Sequence, residues 1–412
     1  MKFDPATEIQ NYLVFGEFGD VNPSICDSST YTFHSVAKME ELFDHEIEGC
    51  FLYSRQWNPT NKYLSLALAR MEDGQWAHVT SSGMAAISST LLELCSAGDE
   101  IVSGRTVYGG TYALLANLLP RFGITTRFVD IGDEEIVRAA ITPNTRVLYC
   151  ESMSNPLLEV ADIPRLARLA REYGLTLVVD NTFSPLIISP LRLGADIVVH
   201  SMTKFINGTS DCVAGCIVSS HDFINRLNNI NSGPCMLLGP VLDSIRAASI
   251  LKNMHSLHIR MVRHSQNALF LAQRFEEVGL PVHYPGLEHH PQHQLMTQLM
   301  NPGFGYGGIV AVDLGDKSTA DRFMMRLQEE KVGYLAVSLG YFKTLFSAPG
   351  HSTSAEIPEA ERQKMGMGDG LIRFSVGLDN DMERTWKVVH NCLEELHVLD
   401  RIPDRESELV YA

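Results

Sequence analysis

Long hydrophobic runs, basic clusters and paired cysteine motifs are all missing from this sequence. No window approaches the roughly 18 consecutive apolar residues that a membrane-spanning helix needs. The opening stretch MKFDPATEIQNYLVFGEFGD lacks the basic start and apolar core of a secretory signal. A soluble cytoplasmic protein is the expectation. Basic residues number 33 against 49 acidic ones, a net charge of -16, and no basic run interrupts that excess. Nucleic acid and anionic membrane are therefore poor candidates as partners. Eight cysteines scattered over 412 positions, most inside apolar runs such as LLELCSAG and RVLYCES, do not make a disulfide framework. Cys212 and Cys216 lie four apart, and EHHPQHQ offers His289, His290 and His293, but the paired spacing of a zinc site is missing, so no metal is expected. No G-x-G-x-x-G follows any predicted strand, which disfavours a dinucleotide-dependent oxidoreductase. Low-complexity tracts and internal repeats are absent as well.

What is present is globular composition, 45% apolar and 20% charged, in a chain long enough for two domains. Residues 1–53 are irregular and polar and suit an extended N-terminal arm lying on another surface. From there the pattern alternates. RVLYCES reads as a strand. DIPRLARLAREYG reads as an amphipathic helix with Asp162 as cap, Pro164 in the first turn and Gly174 past the end, and LTLVVDN as the next strand. That βαβ unit, with further strands at DEIVSGRTVY, TTRFVDIG and ADIVVHS, predicts an α/β domain over 54–245 with a mainly parallel sheet flanked by helices. A glycine and proline break near NSGPCMLLGP leads into long helical patterning. Strands at GIVAVDLGD and GLIRFSVGLD with helices at TADRFMMRLQEE and MERTWKVVHNCLEEL then predict a smaller C-terminal α+β domain over 246–412.

In open parallel sheets ligands bind beyond the carboxyl ends of the strands. Asp180 closes one predicted strand there, and His200, Ser201, Thr203 and Lys204 follow its neighbour. Singly these are weak signals, since a strand-end aspartate is most often a cap and a lysine most often solvated. The stretch VTSSGMAAISSTLLEL adds a strand end, then Ser81, Ser82, Gly83 and Met84, then a helix, an arrangement that aims backbone N–H groups at an anion. A lysine amine, a strand-end carboxylate and a phosphate-binding helix start together fit pyridoxal 5′-phosphate (PLP).

With those residues in view, the sequence resembles the Cys/Met-metabolism family of PLP-dependent enzymes. The resemblance runs from about Phe51 to Leu396 through YSRQWNPT, TSSGMAAI, TVYGGT, ESMSNP, VVDNTFSP, LGADIVVHSMTKFINGTSD, HYPGLEHHPQH, AVSLG and LIRFSVGLD. It implies the type I fold of PLP enzymes, with Lys204 as the cofactor-binding lysine and Asp180 on the pyridine nitrogen. Ser82, Gly83, Met84, Ser201 and Thr203 would hold the phosphate. Tyr53 and Arg55 would reach the phosphate of a neighbouring subunit, which implies a homotetramer built as a dimer of dimers. Tyr108 would stack on the cofactor ring and act as acid toward the leaving group. Asn155 would approach the ring hydroxyl, and Ser338 and Arg373 would bind the substrate carboxylate. Glu151 falls beside the pocket as a buttress for Asn155 and stays outside the catalytic set.

The resemblance further implies a small amino-acid substrate whose α-proton is taken by Lys204 and whose γ-substituent leaves with a proton from Tyr108. The distal stretches GPCMLLGP, YPGLEHHPQHQL, NPGFGYGGI and SLGYFKTLFSAPGHSTSAEIP look most like plant-type methionine γ-lyases and their bacterial relatives. They imply γ-elimination from L-methionine to methanethiol, 2-oxobutanoate and ammonia. γ-Replacement on O-acetyl- or O-succinylhomoserine and cystathionine γ-lysis are the alternatives. Gly110 stands where microbial methionine γ-lyases carry cysteine, and Lys343 where an acidic residue is common. Turned toward the pocket, Lys343 would favour an anionic or acylated tail; turned outward, it would not bear on the choice.

Overall fold

The computed structural model describes residues 3–12, 19–44, 47, 49–352 and 357–401. Residues 1–2, 13–18, 45, 46 and 48 of the expected arm, 353–356 of the distal stretch and 402–412 of the C-terminal domain lie outside the described residues.

Alternating apolar runs of five to seven residues form strands β1 (Trp76–Thr80), β2 (Glu100–Gly104), β3 (Thr125–Val129), β4 (Thr145–Glu151), β5 (Thr176–Asp180), β6 (Ile197–Ser201) and β7 (Gly215–Ser219). They make one sheet in the order β1-β7-β6-β5-β4-β2-β3. β2 through β6 pair in parallel, while β7 runs antiparallel to both β1 and β6. Both faces are buried, as parallel sheets require. Leu148, Leu177 and Val198 look into one apolar cluster, and Val147, Tyr149, Val178 and Val199 into another on the opposite face.

The covering helices start and stop where the sequence places their signals. In Ile163–Tyr173 the Asp162 carboxylate accepts the Arg165 N–H at 3.0 Å, and Gly174, at φ 67°, ends the helix in the left-handed region. Leu166, Ala167, Leu169 and Ala170 then fall on the sheet-facing side.

The second sheet comprises β8 (Val282–His283), β9 (Ile309–Asp313), β10 (Gly333–Leu335), β11 (Thr344–Ser347) and β12 (Leu371–Ser375), in the order β10-β11-β12-β9-β8. The helices Lys317–Glu329 and Met382–Glu395 cover it, with Phe323, Leu327 and Leu393 in one cluster. The expected seam at residue 245 falls just inside the helix Ser244–Met254, whose Ala247, Ile250 and Leu251 pack into the core of the first sheet. The helix Leu257–Glu277 joins the two cores. Its Leu257 and Met261 belong to the first, and its Ala268, Leu271 and Phe275 to the second.

The first residues contain order that the composition of the arm does not suggest. Asp4 caps a short helix, Pro5–Asn11, which sets Ala6 and Ile9 into the first core. Residues 19–35 are mostly exposed. Among the described residues, no helix is long and apolar enough to cross a membrane.

Asp162→Ala removes the side-chain acceptor at the start of Ile163–Tyr173 and should lower the unfolding free energy by about 1 kcal/mol, read as a shift in the denaturant midpoint at unchanged m-value.

Candidate active site

Strand alternation decides which side chains meet. Tyr149 and Glu151 on β4, Val178 and Asp180 on β5, and Val199 and Ser201 on β6 share one face, because successive residues point to opposite sides. The apolar members pack under the helix Gly83–Leu94. The last member of each strand therefore brings a polar group to the rim of that same face: Glu151, Asp180 and Ser201. On the opposite face His200, Asn181 and Glu72 form a separate buried network, with His200 Nε2 2.7 Å from Glu72 Oε1 and Asn181 Nδ2 donating to the same oxygen at 3.0 Å.

The rim opens into a cavity of about 290 Å³. All the expected site residues line it except Tyr53 and Arg55. At its floor, Ser82 caps the helix Gly83–Leu94 by accepting the Ala85 N–H at 3.0 Å. The N–H groups of Gly83 and Met84 lie in the first turn, where no intrahelical acceptor exists. This helix start sits hard against the end of β6: a Cβ on Gly83 would come within 2.7 Å of Ser201 Cβ, and one on Gly215 within 2.2 Å of the Ser82 carbonyl oxygen. Thr182 ties two strand ends together. Its N–H donates to Asp180 Oδ1 at 2.9 Å, and its hydroxyl accepts the Ser201 N–H at 2.8 Å.

Four charged groups share this small space. Burial pushes the Asp180 carboxyl up, against the hydrogen bonds from Thr182 and the nearby His200. Burial raises Glu151 well above the ordinary carboxylate range, and the adjacent Asp180 adds to that. Desolvation, helped by the Arg373 guanidinium, brings the Lys204 amine down from 10.5 to about 8. Its Nζ donates to Ser338 Oγ at 3.1 Å. Arg373, 3% exposed on β12, is lowered to about 10 by burial. It donates to Asn155 Oδ1 at 2.9 Å and to the Ser338 carbonyl at 3.2 Å, while its Nε has no partner and no carboxylate among the described residues pairs with it. A buried, unneutralised guanidinium fork is a receptor for a carboxylate. Lys204 and Asp180 line the same cavity without forming an ion pair, which leaves room for a group between them.

Tyr108 precedes the helix Gly109–Ala113 and is 40% exposed. Gly110 leaves room for the Tyr108 ring itself: a Cβ on Gly110 would lie 2.6 Å from Tyr108 Cε1. Tyr53 and Arg55 stay outside this cavity, both exposed, with the guanidinium 5.5 Å from the Tyr53 ring centroid and donating to the Met236 carbonyl at 3.1 Å. Lys343 does not line the cavity, and its charge lies near Asp379, whose carboxyl it helps to hold low. His289 and His290 line a wider cleft of about 540 Å³ beside Arg105 and Asp130, where no lysine meets a strand-end carboxylate. His293 instead contacts the Pro285 carbonyl at 2.8 Å. Thr182, Phe183, Met153, Val213 and Val337 also line the active cavity. Sequence reading passed over them because apolar and hydroxyl residues near strand ends carry no chemical signature of their own.

Comparison with known proteins agrees with this geometry. The family model for Cys/Met metabolism PLP-dependent enzymes matches residues 10–384. The chain belongs to that family. Within it, the chain is 45% identical over 390 residues to a methionine γ-lyase of Arabidopsis thaliana, covering 93% of this chain and 88% of the relative. A solved structure from Campylobacter jejuni, described as an O-acetylhomoserine (thiol)-lyase and carrying a pyridoxyl-lysine phosphate, superposes with a TM-score of 0.88. It is 26% identical and covers 95% of this chain and 100% of its own. A cystathionine γ-lyase of Lactobacillus plantarum, solved with L-serine, gives a TM-score of 0.85 at 31% identity, covering 96% and 100%. The architecture is accordingly that of type I PLP enzymes, and the Cys/Met family members similar to this chain differ among themselves in the reaction they are named for.

In the cofactor-free protein, Lys204 should become reactive toward amine reagents with a midpoint near pH 8, since its neutral fraction rises as pH passes that value. Arg373→Leu leaves the larger cause, burial, in place but removes the cation that adds to it, and should move the midpoint upward in part. Peptide mass spectrometry across a pH series measures both, and a wild-type midpoint at the ordinary 10.5 would contradict the desolvated site.

Proposed function

We propose that the chain is a PLP-dependent carbon–sulfur lyase that carries out γ-elimination on L-methionine. Methionine and water would give methanethiol, 2-oxobutanoate and ammonia. The observation that carries this reading is the pairing of a desolvated Lys204 with an unneutralised Arg373 in one cavity whose remaining wall includes Met153, Val213, Val337 and Leu339. That combination suits an α-amino acid with an uncharged side chain. Lys343 does not line that cavity, so it does not bear on the choice of side chain.

The residues present fit the cofactor. The first turn of Gly83–Leu94 with Ser82, Ser201 and Thr203 would hold the phosphate, the cradle existing because Gly83 has no Cβ to collide with Ser201. Asp180, raised by burial in the absence of a cation, would recover its charge against a protonated ring nitrogen. Asn155 would lie beside the ring hydroxyl. Bound there, PLP supplies an electron-accepting ring that stabilises negative charge at the substrate α-carbon.

The chain's own groups account for the rest. Arg373 and Ser338 bind the substrate carboxylate and so fix which α-substituent stands over the ring. Lys204 Nζ, neutral above pH of about 8, takes the α-proton. Tyr108 donates a proton to the departing sulfur. Tyr53 and Arg55, exposed and apart from their own chain's cavity, are read as contributions to the phosphate site of a second subunit, in a dimer that pairs into a tetramer.

The test is a panel of methionine, cystathionine and O-acetylhomoserine, each with and without an added thiol. Release of 2-oxobutanoate from methionine alone is expected. Thioether formation that requires thiol, with no oxoacid from methionine, would contradict the lyase.

A further inference from the structure

Glu151 ends β4 on the cavity face, 6% exposed and in direct register with Asp180 on β5. A second buried carboxylate beside Asp180 is unfavourable unless something offsets its desolvation. Two backbone donors do so. One Glu151 oxygen accepts the Tyr108 N–H at 2.7 Å, and the other accepts the Asn155 N–H at 3.0 Å. These donors come from different loops, one following β2 and one following β4. From Asn155 the contacts continue to Arg373, from Arg373 to the Ser338 carbonyl, and from the Ser338 hydroxyl to Lys204 Nζ. The acid is thus the point at which the Tyr108 loop joins the network that reaches the lysine.

We propose that Glu151 is a positioning residue that sets the Tyr108 ring and the Asn155 amide against the cofactor by accepting one backbone N–H from each of their loops. This rests on the reading above, in which Tyr108 and Asn155 face the cofactor. A carboxyl group is suited to the task because, ionised, it is an acceptor at both oxygens, and the two N–H bonds favour that form against the upward push of burial and of Asp180. Glutamine matches its shape but presents one oxygen and one NH2 group, so one of the two loops would face a donor and move away. With both oxygens occupied in this way, Glu151 leaves the ring nitrogen to Asp180.

The experiment compares wild type with Glu151→Gln and Glu151→Asp. Amide hydrogen exchange is followed in the cofactor-free proteins over peptides containing Tyr108 and Asn155, alongside PLP affinity, kcat and KM in the loaded enzymes. Glu151→Gln should bind PLP, speed exchange at one of the two amides at least about tenfold, the effect of losing roughly 1.4 kcal/mol of protection, and lower kcat on the order of 100-fold with a smaller change in KM. Glu151→Asp, which keeps two acceptors on a shorter stem, should recover part of kcat. Wild-type kcat in Glu151→Gln, or a lowered melting temperature with kcat intact, overturns the proposal. So do unprotected Tyr108 and Asn155 amides in the wild-type protein, a result that needs no variant to fold. Because the exchange measurement requires no cofactor, it separates failure of this proposal from failure of the cofactor assignment.

Discussion

Desolvation of charge at the ends of three adjacent parallel strands is the constraint on which the rest of the site depends. Glu151, Asp180 and Lys204 line one cavity there, the two carboxyl groups buried and the amine largely withdrawn from solvent, and Arg373 enters the same space from the second sheet. Charges placed there must find partners or shift their protonation. The anions are partnered by backbone N–H groups, and the lysine amine shifts toward its neutral form. Arg373 keeps an unused donor. Each of these responses matches a role proposed above: an oriented carboxylate, a nucleophilic amine and a carboxylate receptor.

The two sheets contribute unequally. The large one supplies the fixed platform, with strand ends, helix start and the close contacts at Gly83 and Gly215 holding the Ser82–Gly83 turn against Ser201. The smaller one supplies Arg373 from β12 and Ser338 from the segment before β11, and Gly340 lets that segment pass directly over the turn that carries Lys204. The lysine environment is therefore built only when the two cores are packed together, which the long helix Leu257–Glu277 enforces by belonging to both.

Much of this was legible in the sequence, for physical reasons that can be named. The strand at Thr176–Asp180 and the helix at Ile163–Tyr173 are marked by β-branched runs, an aspartate cap and a terminal glycine, all of which act locally. Lys204, Asp180 and the Ser82–Met84 turn, each a weak signal alone, were legible as neighbours because they fall together at adjacent strand ends, and they line one cavity. Glu151 was read as a buttress for Asn155, and period-two alternation from Tyr149 puts it on the face of Asp180; its second bond, from the Tyr108 N–H, comes from a distant loop that no local pattern reveals. Strands such as β10 and β11 went unread because each is only 3 or 4 residues long and is stabilised by its sheet partners. The docking of Pro5–Asn11 depends likewise on a distant surface. That Lys343 stays out of the cavity, with its charge near Asp379, follows from tertiary packing that its own neighbourhood in sequence does not reveal.

The most direct measurement is reductive trapping. The enzyme as purified is treated with borohydride, which would fix a pyridoxal–lysine linkage, then digested and mapped by mass spectrometry. The account predicts a phosphopyridoxyl group on the peptide containing Lys204. A label on a different lysine, or none at all, would contradict it.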